Sequence, residues 1–148
     1  MTERQPDDCS DAPSGKDGRR ARLRLEGDPP SPYEGRYGFS RTVRAGQFLL
    51  IGGTTSVSPD GVVVGETPYE QTVEILRKLA HELDRGGFGV ADVISTRVYV
   101  TDISRGDEVG RAHGDMFAEH RPLMTMVEVS SLIDPRMLVE IEVVAFAG

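Results

Sequence analysis

Three glutamates near the end of the chain, Glu128, Glu140 and Glu142, lie in stretches that alternate between apolar and polar side chains. Such alternation predicts β-strands, in which every second side chain points to the same face of the sheet. It places the three carboxylates on one face, together with Arg97 of an earlier strand. A carboxylate that is partly buried on such a face has a raised pKa, so it can act as a general acid or base near neutral pH.

The same face is predicted to carry five further side chains, namely Met124, Met126, Leu138, Val144 and Tyr99. Such a face is too apolar for open water and too charged for the core of a single subunit. A subunit interface that contains a polar pocket explains both observations. The opposite face of these strands is apolar, and we expect it to lie under helices.

The charge of the chain limits its partners. Its 148 residues, about the length of one domain, include 17 Lys and Arg against 24 Asp and Glu, which gives a formal net charge of −7. Residues 33–148 alone hold 17 acidic and 11 basic residues. Because nucleic-acid binding requires a basic surface, this balance argues against a nucleic-acid partner.

Other classes of protein are also disfavoured. The single Cys9 cannot form an intramolecular disulfide, and with three histidines it cannot build a Cys-rich zinc site. There is no Gly-rich phosphate loop, no metal-ligand spacing and no Ser-His-Asp arrangement, so we predict no cofactor and no metal. No apolar run approaches the roughly 20 residues of a membrane span and no signal sequence is visible, so we expect a cytoplasmic protein.

The first 32 residues contain seven acidic and six basic residues, and most of the others are small, polar or proline. Such a stretch buries too little apolar surface to offset the entropy lost on ordering. We therefore predict a disordered segment over residues 1–32 and one folded domain over residues 33–148.

The folded part predicts the element order β-β-α-β-α-β-β. The first two strands form a hairpin around Ala45-Gly46. The first helix begins with a capping box at Thr67 and ends at Gly86-Gly87, while the second begins at Ser104 and stops before Pro122. The predicted strands are 39–44, 47–53, 94–101, 123–131 and 137–147. Two helices cover only one face of a sheet, so we predict an α+β fold with one mixed sheet.

In their order and spacing, several stretches of the folded part resemble the RidA/YjgF family of reactive-intermediate deaminases. The matching stretches are Phe39–Gly46, Gly52-Gly53, the helix around Gln71, Asp92–Ile94, Val100–Ile103, His120–Pro122, Val127–Val129 and Val139–Ala145. The resemblance covers nearly all of the chain from Phe39 to Ala147. It implies chorismate-mutase-like subunits that form a homotrimer, with a central barrel of three sheets and a ligand cleft between adjacent subunits.

The resemblance also implies an activity. Enzymes of this family hydrolyse reactive imines and enamines, which are small molecules, to 2-oxo acids and ammonia. In them an arginine of a Pro-Ala-Arg motif binds the substrate carboxylate through two hydrogen bonds, and a glutamate on the last strand positions the attacking water. An aromatic hydroxyl, an asparagine and backbone groups near a glycine complete the cleft.

Matched residue by residue, the family's glutamate corresponds to Glu140, which we predict to be catalytic, and its glycine corresponds to Gly53. The aromatic position is Phe39, which lacks the hydroxyl, and the asparagine position is Gly110. The arginine position is Met124, and a thioether does not bind a carboxylate. We therefore expect Gly53, Phe39, Gly110 and Met124 to contact a substrate that differs from the family norm.

Several side chains allow two interpretations. Glu140 either acts as an acid or base or pairs with Arg97 or a backbone amide. Arg97 either replaces the missing cation or forms a structural salt bridge, which we favour because a trimer core must neutralise several carboxylates. Thr54, which follows Gly53, either ends a strand or offers its hydroxyl to a ligand, which we favour because Gly53 permits close approach to the backbone. His113 either shuttles protons or, as its position on the helix favours, packs in the interior.

These observations lead to two hypotheses of function. The first is a hydrolase or deaminase that acts on a small reactive imine, enamine or carbonyl compound in the inter-subunit cleft. The alternative is a non-catalytic trimer that binds a metabolite or a partner protein. Turnover distinguishes the two, because a binding protein is stabilised by a ligand that it does not consume.

Overall fold

The computed structural model describes residues 22–148. Its strands are β1 (Arg22–Leu25), β2 (Thr42–Ala45), β3 (Phe48–Thr54), β4 (Val93–Val100), β5 (Leu123–Glu128) and β6 (Val139–Phe146), and its helices are α1 (Pro32–Tyr37), α2 (Pro68–Arg85) and α3 (Gly106–Phe117). Within this range the strands form a six-stranded sheet in the order β1-β2-β3-β6-β4-β5. Since β4 and β5 are parallel and the other neighbours antiparallel, the α+β fold with one mixed sheet is confirmed.

Helix α2 begins and ends at the predicted residues. The Thr67 hydroxyl accepts a hydrogen bond from the Glu70 amide at 3.2 Å, and the Glu70 carboxylate accepts one from the Thr67 amide at 3.1 Å. Pro68 stands at the first helical position. At the other end Gly87 has a φ of 79°, a conformation that favours glycine. The reciprocal cap predicted from the sequence is therefore confirmed.

Helix α3 begins two residues later than predicted. The capping group is the carboxylate of Asp102 and not the hydroxyl of Ser104, since the Asp102 side chain accepts a hydrogen bond from the Ser104 amide at 3.0 Å. That cap serves a short 3-10 turn over residues 103–105. The α-helix then starts at Gly106 without a side-chain cap.

The predicted disorder of residues 1–32 is wrong for residues 22–32, while residues 1–21 lie outside the described range. Strand β1 pairs with β2, and Arg85 of α2 donates a hydrogen bond to the Glu26 carbonyl oxygen at 2.9 Å. Ser31 caps α1 in a second capping box. The segment lacks a core of its own but is ordered by the backbone groups of β2 and by α2.

The core lies between one face of the sheet and helices α2 and α3. Its fully buried members include Leu49, Ile75, Leu79, Val109, Val139 and Ile141. In β6 the predicted alternation holds, since Val139, Ile141, Val143 and Ala145 are buried while the side chains between them are partly exposed. We call the opposite face, which neither α2 nor α3 covers, the open face.

The predicted faces of β5 are reversed. In the parallel register Thr96 pairs with Met124, Val98 with Met126 and Val100 with Glu128. Because paired residues share a face, these three β5 side chains lie on the helix side, where Glu128 accepts a hydrogen bond from the Ile103 amide at 2.9 Å. Leu123, Thr125 and Val127 lie on the open face instead. Burial could not reveal this from sequence, because β5 is an edge strand that is largely exposed on both faces.

Candidate functional site

The Glu140 carboxylate lies against the backbone of Gly53. Glu140 is on β6 and points to the open face, while Gly53 is in an irregular part of β3, where the pairing with β6 shifts between Ile51 and Thr54. A Cβ atom added to Gly53 would overlap the Glu140 side chain. The absence of a side chain at position 53 therefore lets the Glu140 carboxylate pack directly against the backbone.

The same carboxylate has no hydrogen-bond partner within the part of the chain that the structure describes. Burial raises the pKa of Glu140, and the neighbouring Glu142 raises it further, whereas Arg41 opposes both effects. Both carboxylate oxygens are thus available to a water or ligand. A carboxyl group with a raised pKa and free oxygens is suited to proton transfer near neutral pH.

Arg41 is the cation whose positive charge acts on this carboxylate, and it was not predicted from the sequence. Its Nη1 donates hydrogen bonds to the Gly53 carbonyl oxygen at 3.1 Å and to Thr54 Oγ1 at 3.4 Å. Its Nε lies 3.7 Å from Glu34 Oε1. In the observed hairpin Ala45 pairs with Phe48, one residue later along the second strand than the predicted turn implies, so Arg41 lies opposite Gly52 instead of Leu50. The Gly52 amide donates to the Arg41 carbonyl oxygen at 2.9 Å.

Lys78 of α2 holds the chain that follows Gly53. Its Nζ donates hydrogen bonds to the carbonyl oxygens of Thr55 at 2.6 Å and of Val57 at 2.7 Å. Burial, and then the positive charge of Arg41, lower the pKa of Lys78 to about 8. Arg41 and Lys78 therefore both anchor the segment next to Glu140.

Thr54 and Arg97 both have structural partners. The Thr54 hydroxyl is buried and donates to the Gly52 carbonyl oxygen at 3.0 Å. Arg97 Nη1 lies 3.2 Å from Glu142 Oε1, its cross-strand neighbour, and the Arg97 side chain is 66% exposed. This pair fits the salt bridge that we favoured for Arg97.

The open face contains a concavity beside that salt bridge. Its volume is about 370 Å³, and it is lined by Leu50, Ile51, Gly52, Ser95, Arg97, Glu142, Val143 and Val144. Arg97 and Glu142 supply the charges and the aliphatic side chains supply the walls. The open face thus combines apolar walls with one charged pair, and Glu140 is not among the residues that line this concavity.

Met124 and Gly110 lie apart from Glu140 within the subunit. Met124 points to the helix side of β5, whereas Glu140 points to the open face of β6, and β4 lies between these two strands. Gly110 lies on α3, with open space where a side chain would be. One chain therefore does not bring the predicted site residues together.

Two further candidate positions have clear surroundings. His113 is buried, its Nε2 lies 2.9 Å from Thr96 Oγ1, and its ring packs 4.6 Å from that of Phe117. Burial lowers the pKa of His113, so the ring is a neutral, packed side chain, as its position on the helix favoured. Phe39 is 46% exposed and follows Gly38, which ends α1.

Metal-binding clusters and membrane-spanning helices are both absent from the residues that the structure describes. Between residues 22 and 148 no three His, Cys, Asp or Glu side chains are grouped so that they could hold a metal ion. In the same range no helix combines the length and apolarity needed to cross a membrane.

Comparison with known proteins places this fold in a family. Residues 31–147 match the family model described as Endoribonuclease L-PSP. An uncharacterized protein of Streptomyces coelicolor is 38% identical over 118 residues, covering 80% of this chain and 88% of that protein. A RutC family protein of Pyrococcus horikoshii is 32% identical over 110 residues, covering 73% of this chain and 86% of that protein.

A solved structure agrees with these matches. It is a Mycobacterium tuberculosis protein described as a member of the highly conserved YjgF/YER057c/UK114 family, with a TM-score of 0.77 and 41% identity. The alignment covers 86% of this chain and all of that one. Fold, sequence identity and family model agree over the same residues, and the chain therefore belongs to the RidA/YjgF family.

Proposed function

We propose that this protein is a hydrolase that converts small reactive imines or enamines to carbonyl compounds and ammonia, with Glu140 as the general acid and base. The observation that supports this most directly is the Glu140 carboxylate, which is partly buried against Gly53, has a raised pKa and makes no hydrogen bond within the described chain. The position of Glu140 also corresponds to the glutamate that the family resemblance implies to be catalytic.

The proposed reaction needs one water and no cofactor. Glu140 accepts a proton from water as the water oxygen adds to the carbon of the protonated C=N bond, which forms a neutral carbinolamine. The carboxyl group then gives that proton to nitrogen, and the C–N bond breaks to release ammonia. The carbinolamine hydroxyl returns its proton to Glu140 as the carbonyl forms. An enamine first takes a proton at carbon from the same carboxyl group, which converts it to the imine.

The substrate that fits this site has no carboxylate group. Met124 occupies the position of the family's carboxylate-binding arginine. Arg41 does not replace that arginine, because its guanidinium already contacts Glu34 and the Gly53 carbonyl oxygen. Arg97 is likewise paired, with Glu142. Because neither of these described arginines is left to pair with a substrate carboxylate, we expect neutral imines to be favoured.

An assay of ammonia release tests this function. The full chain is incubated with imines generated in situ from simple amines and, separately, from amino acids. We expect the protein to accelerate ammonia release from the imines that lack a carboxylate, and to act less on those derived from amino acids. Failure to accelerate any imine would contradict the proposal. Thermal stabilisation by such compounds without turnover would instead favour the non-catalytic binding protein.

We further propose that the cleft lies between subunits of a homotrimer. The open face exposes Phe48, Leu50 and Val127 by more than two fifths, and the edge strand β5 exposes Leu123 by 77%. Apolar area of this extent is typical of a surface that is covered by a partner. Since Glu140 and Met124 lie on opposite faces of one sheet, the two sides of the family's cleft meet only if a second subunit supplies one of them.

Sedimentation tests the trimer. We expect the wild type to sediment as a trimer and Leu50→Glu to dissociate, because a buried, unpaired carboxylate at an interface is strongly unfavourable. Val73→Glu is a matched control, because Val73 is exposed to a similar extent, 46% against 42% for Leu50, but lies on α2. A monomeric wild type, or a trimeric Leu50→Glu variant, would contradict this part of the proposal.

The family description also names an endoribonuclease, but we do not propose that activity. Residues 33–148 hold 17 acidic against 11 basic residues. The open face places Glu140 and Glu142 next to the concavity, and Glu142 already neutralises Arg97. Such a surface repels phosphates.

A further inference from the structure

The buried carboxylate of Glu34 is the starting point for a further inference. Glu34 is on the short helix α1, and its residue is only 5% exposed. Its oxygens accept hydrogen bonds from the Gly27 amide at 3.0 Å and the Ser31 amide at 3.1 Å, and face Arg41. A buried charge needs such partners, so Glu34 fixes both the N-terminal segment and the guanidinium of Arg41.

The other side of the same guanidinium contacts the backbone next to Glu140. Arg41 donates to the Gly53 carbonyl oxygen and to Thr54 Oγ1, and Gly53 is the residue on which the Glu140 carboxylate rests. The Arg41 side chain is only 19% exposed, so it is held on both sides. A continuous chain of contacts therefore runs from Glu34 through Arg41 and Gly53 to Glu140.

We propose that Arg41, held by Glu34, is a positioning residue for Glu140: it fixes the Gly53 backbone that supports the carboxylate and presents a positive charge to it. Its effect on catalysis rests on the function proposed above, whereas its effect on Glu140 does not. The groups that face Glu140 are Arg41, Glu142 on the same strand and Tyr99 on β4. Arg41 is the cation among them and lowers the pKa of Glu140.

Arginine is the side chain suited to this role. Its planar guanidinium donates in several fixed directions, so Nε can face Glu34 while Nη1 binds Gly53. A lysine at position 41 would keep the charge but not both contacts. Positioning and electrostatics can therefore be separated by comparing Arg41→Lys with Arg41→Met.

The experiment is an NMR titration of the Glu140 side-chain carboxyl group, with ammonia release measured on the same samples. We expect Arg41→Met to raise the pKa of Glu140 and Arg41→Lys to change it less. Arg41→Lys should still lower kcat by on the order of 100-fold, the usual result of a misplacement of about 1 Å. Arg77→Met is the control and should change neither quantity, because Arg77 is an exposed α2 residue paired with Glu74.

The double variant Glu34→Gln/Arg41→Met guards against unfolding, because it leaves no unpaired buried charge. Its Glu140 pKa should also rise. An unchanged Glu140 pKa in both variants that lack Arg41, or wild-type kcat in Arg41→Lys, would overturn the positioning role. A wild type without turnover in which Arg41→Met still raises that pKa would refute the proposed function and leave the effect of Arg41 on Glu140 intact.

Discussion

Glu140→Gln is expected to lower the rate of imine hydrolysis by roughly 100- to 10,000-fold, the usual loss when a general acid or base is removed. Glutamine keeps the size and shape of the side chain but does not exchange protons. The measurement is kcat for ammonia release from a neutral imine. Glu108→Gln is the control, since Glu108 lies on α3 and pairs with Arg105 at 2.7 Å.

The pH dependence of the same rate gives an independent test. Glu140 must be ionised to accept a proton from water, so kcat/KM should rise with pH through the pKa of this group. Because burial raises that pKa, the rise should occur above the pH at which an ordinary glutamate titrates. Glu140→Gln should lose this rise and Glu108→Gln should keep it, while Glu142→Gln should move it to lower pH, because Glu142 raises the pKa of Glu140.

Stability separates a catalytic loss from an unfolded protein. A carboxyl group whose pKa is higher in the folded state than in the unfolded chain binds its proton more tightly when folded. Its ionisation therefore destabilises the fold as pH rises through the folded pKa. Removing the ionisable group removes this penalty, so Glu140→Gln should be at least as stable as the wild type at neutral pH. A variant that is inactive because it is unfolded would contradict the catalytic role.

The elements that position Glu140 were predictable because their signals are local. The alternation of β6 fixes which side chains face the helices, and a turn at Gly46-Gln47, one residue later than predicted, closes the hairpin that contains Gly53. The cap of α2 is a reciprocal pair of hydrogen bonds within four residues. The same signal was available for α1, since Ser31-Pro32-Tyr33-Glu34 repeats the pattern Thr67-Pro68-Tyr69-Glu70.

Features that depend on distant contacts were not predictable in this way. Strand β1 is ordered by its pairing with β2, which no property of residues 22–25 reveals. The face of β5 is set by its parallel register with β4, because an edge strand has no clear apolar side. Likewise, the pairing of Arg41 with Glu34 requires α1 to be folded beside the hairpin.

Gly53→Ala is expected to lower the rate of imine hydrolysis by on the order of 100-fold, because the acid-base group is displaced. The added Cβ would overlap the Glu140 side chain, so the carboxylate has to leave its place against β3. The overlapping atoms are the end of a flexible side chain, which can rotate away, so the free energy of unfolding should change little.

Two comparisons show whether the effect of Gly53→Ala comes from its overlap with the Glu140 side chain. Gly52→Ala is the neighbouring control, because a Cβ at Gly52 approaches the Arg41 carbonyl oxygen at an ordinary 3.5 Å, and it should leave stability and rate nearly unchanged. In the double variant Gly53→Ala/Glu140→Ala the rate should be no lower than in Glu140→Ala alone, because a carboxylate that is absent cannot be displaced. If the two substitutions were instead additive in their effect on the rate, displacement of Glu140 would not be the reason why Gly53→Ala is slow.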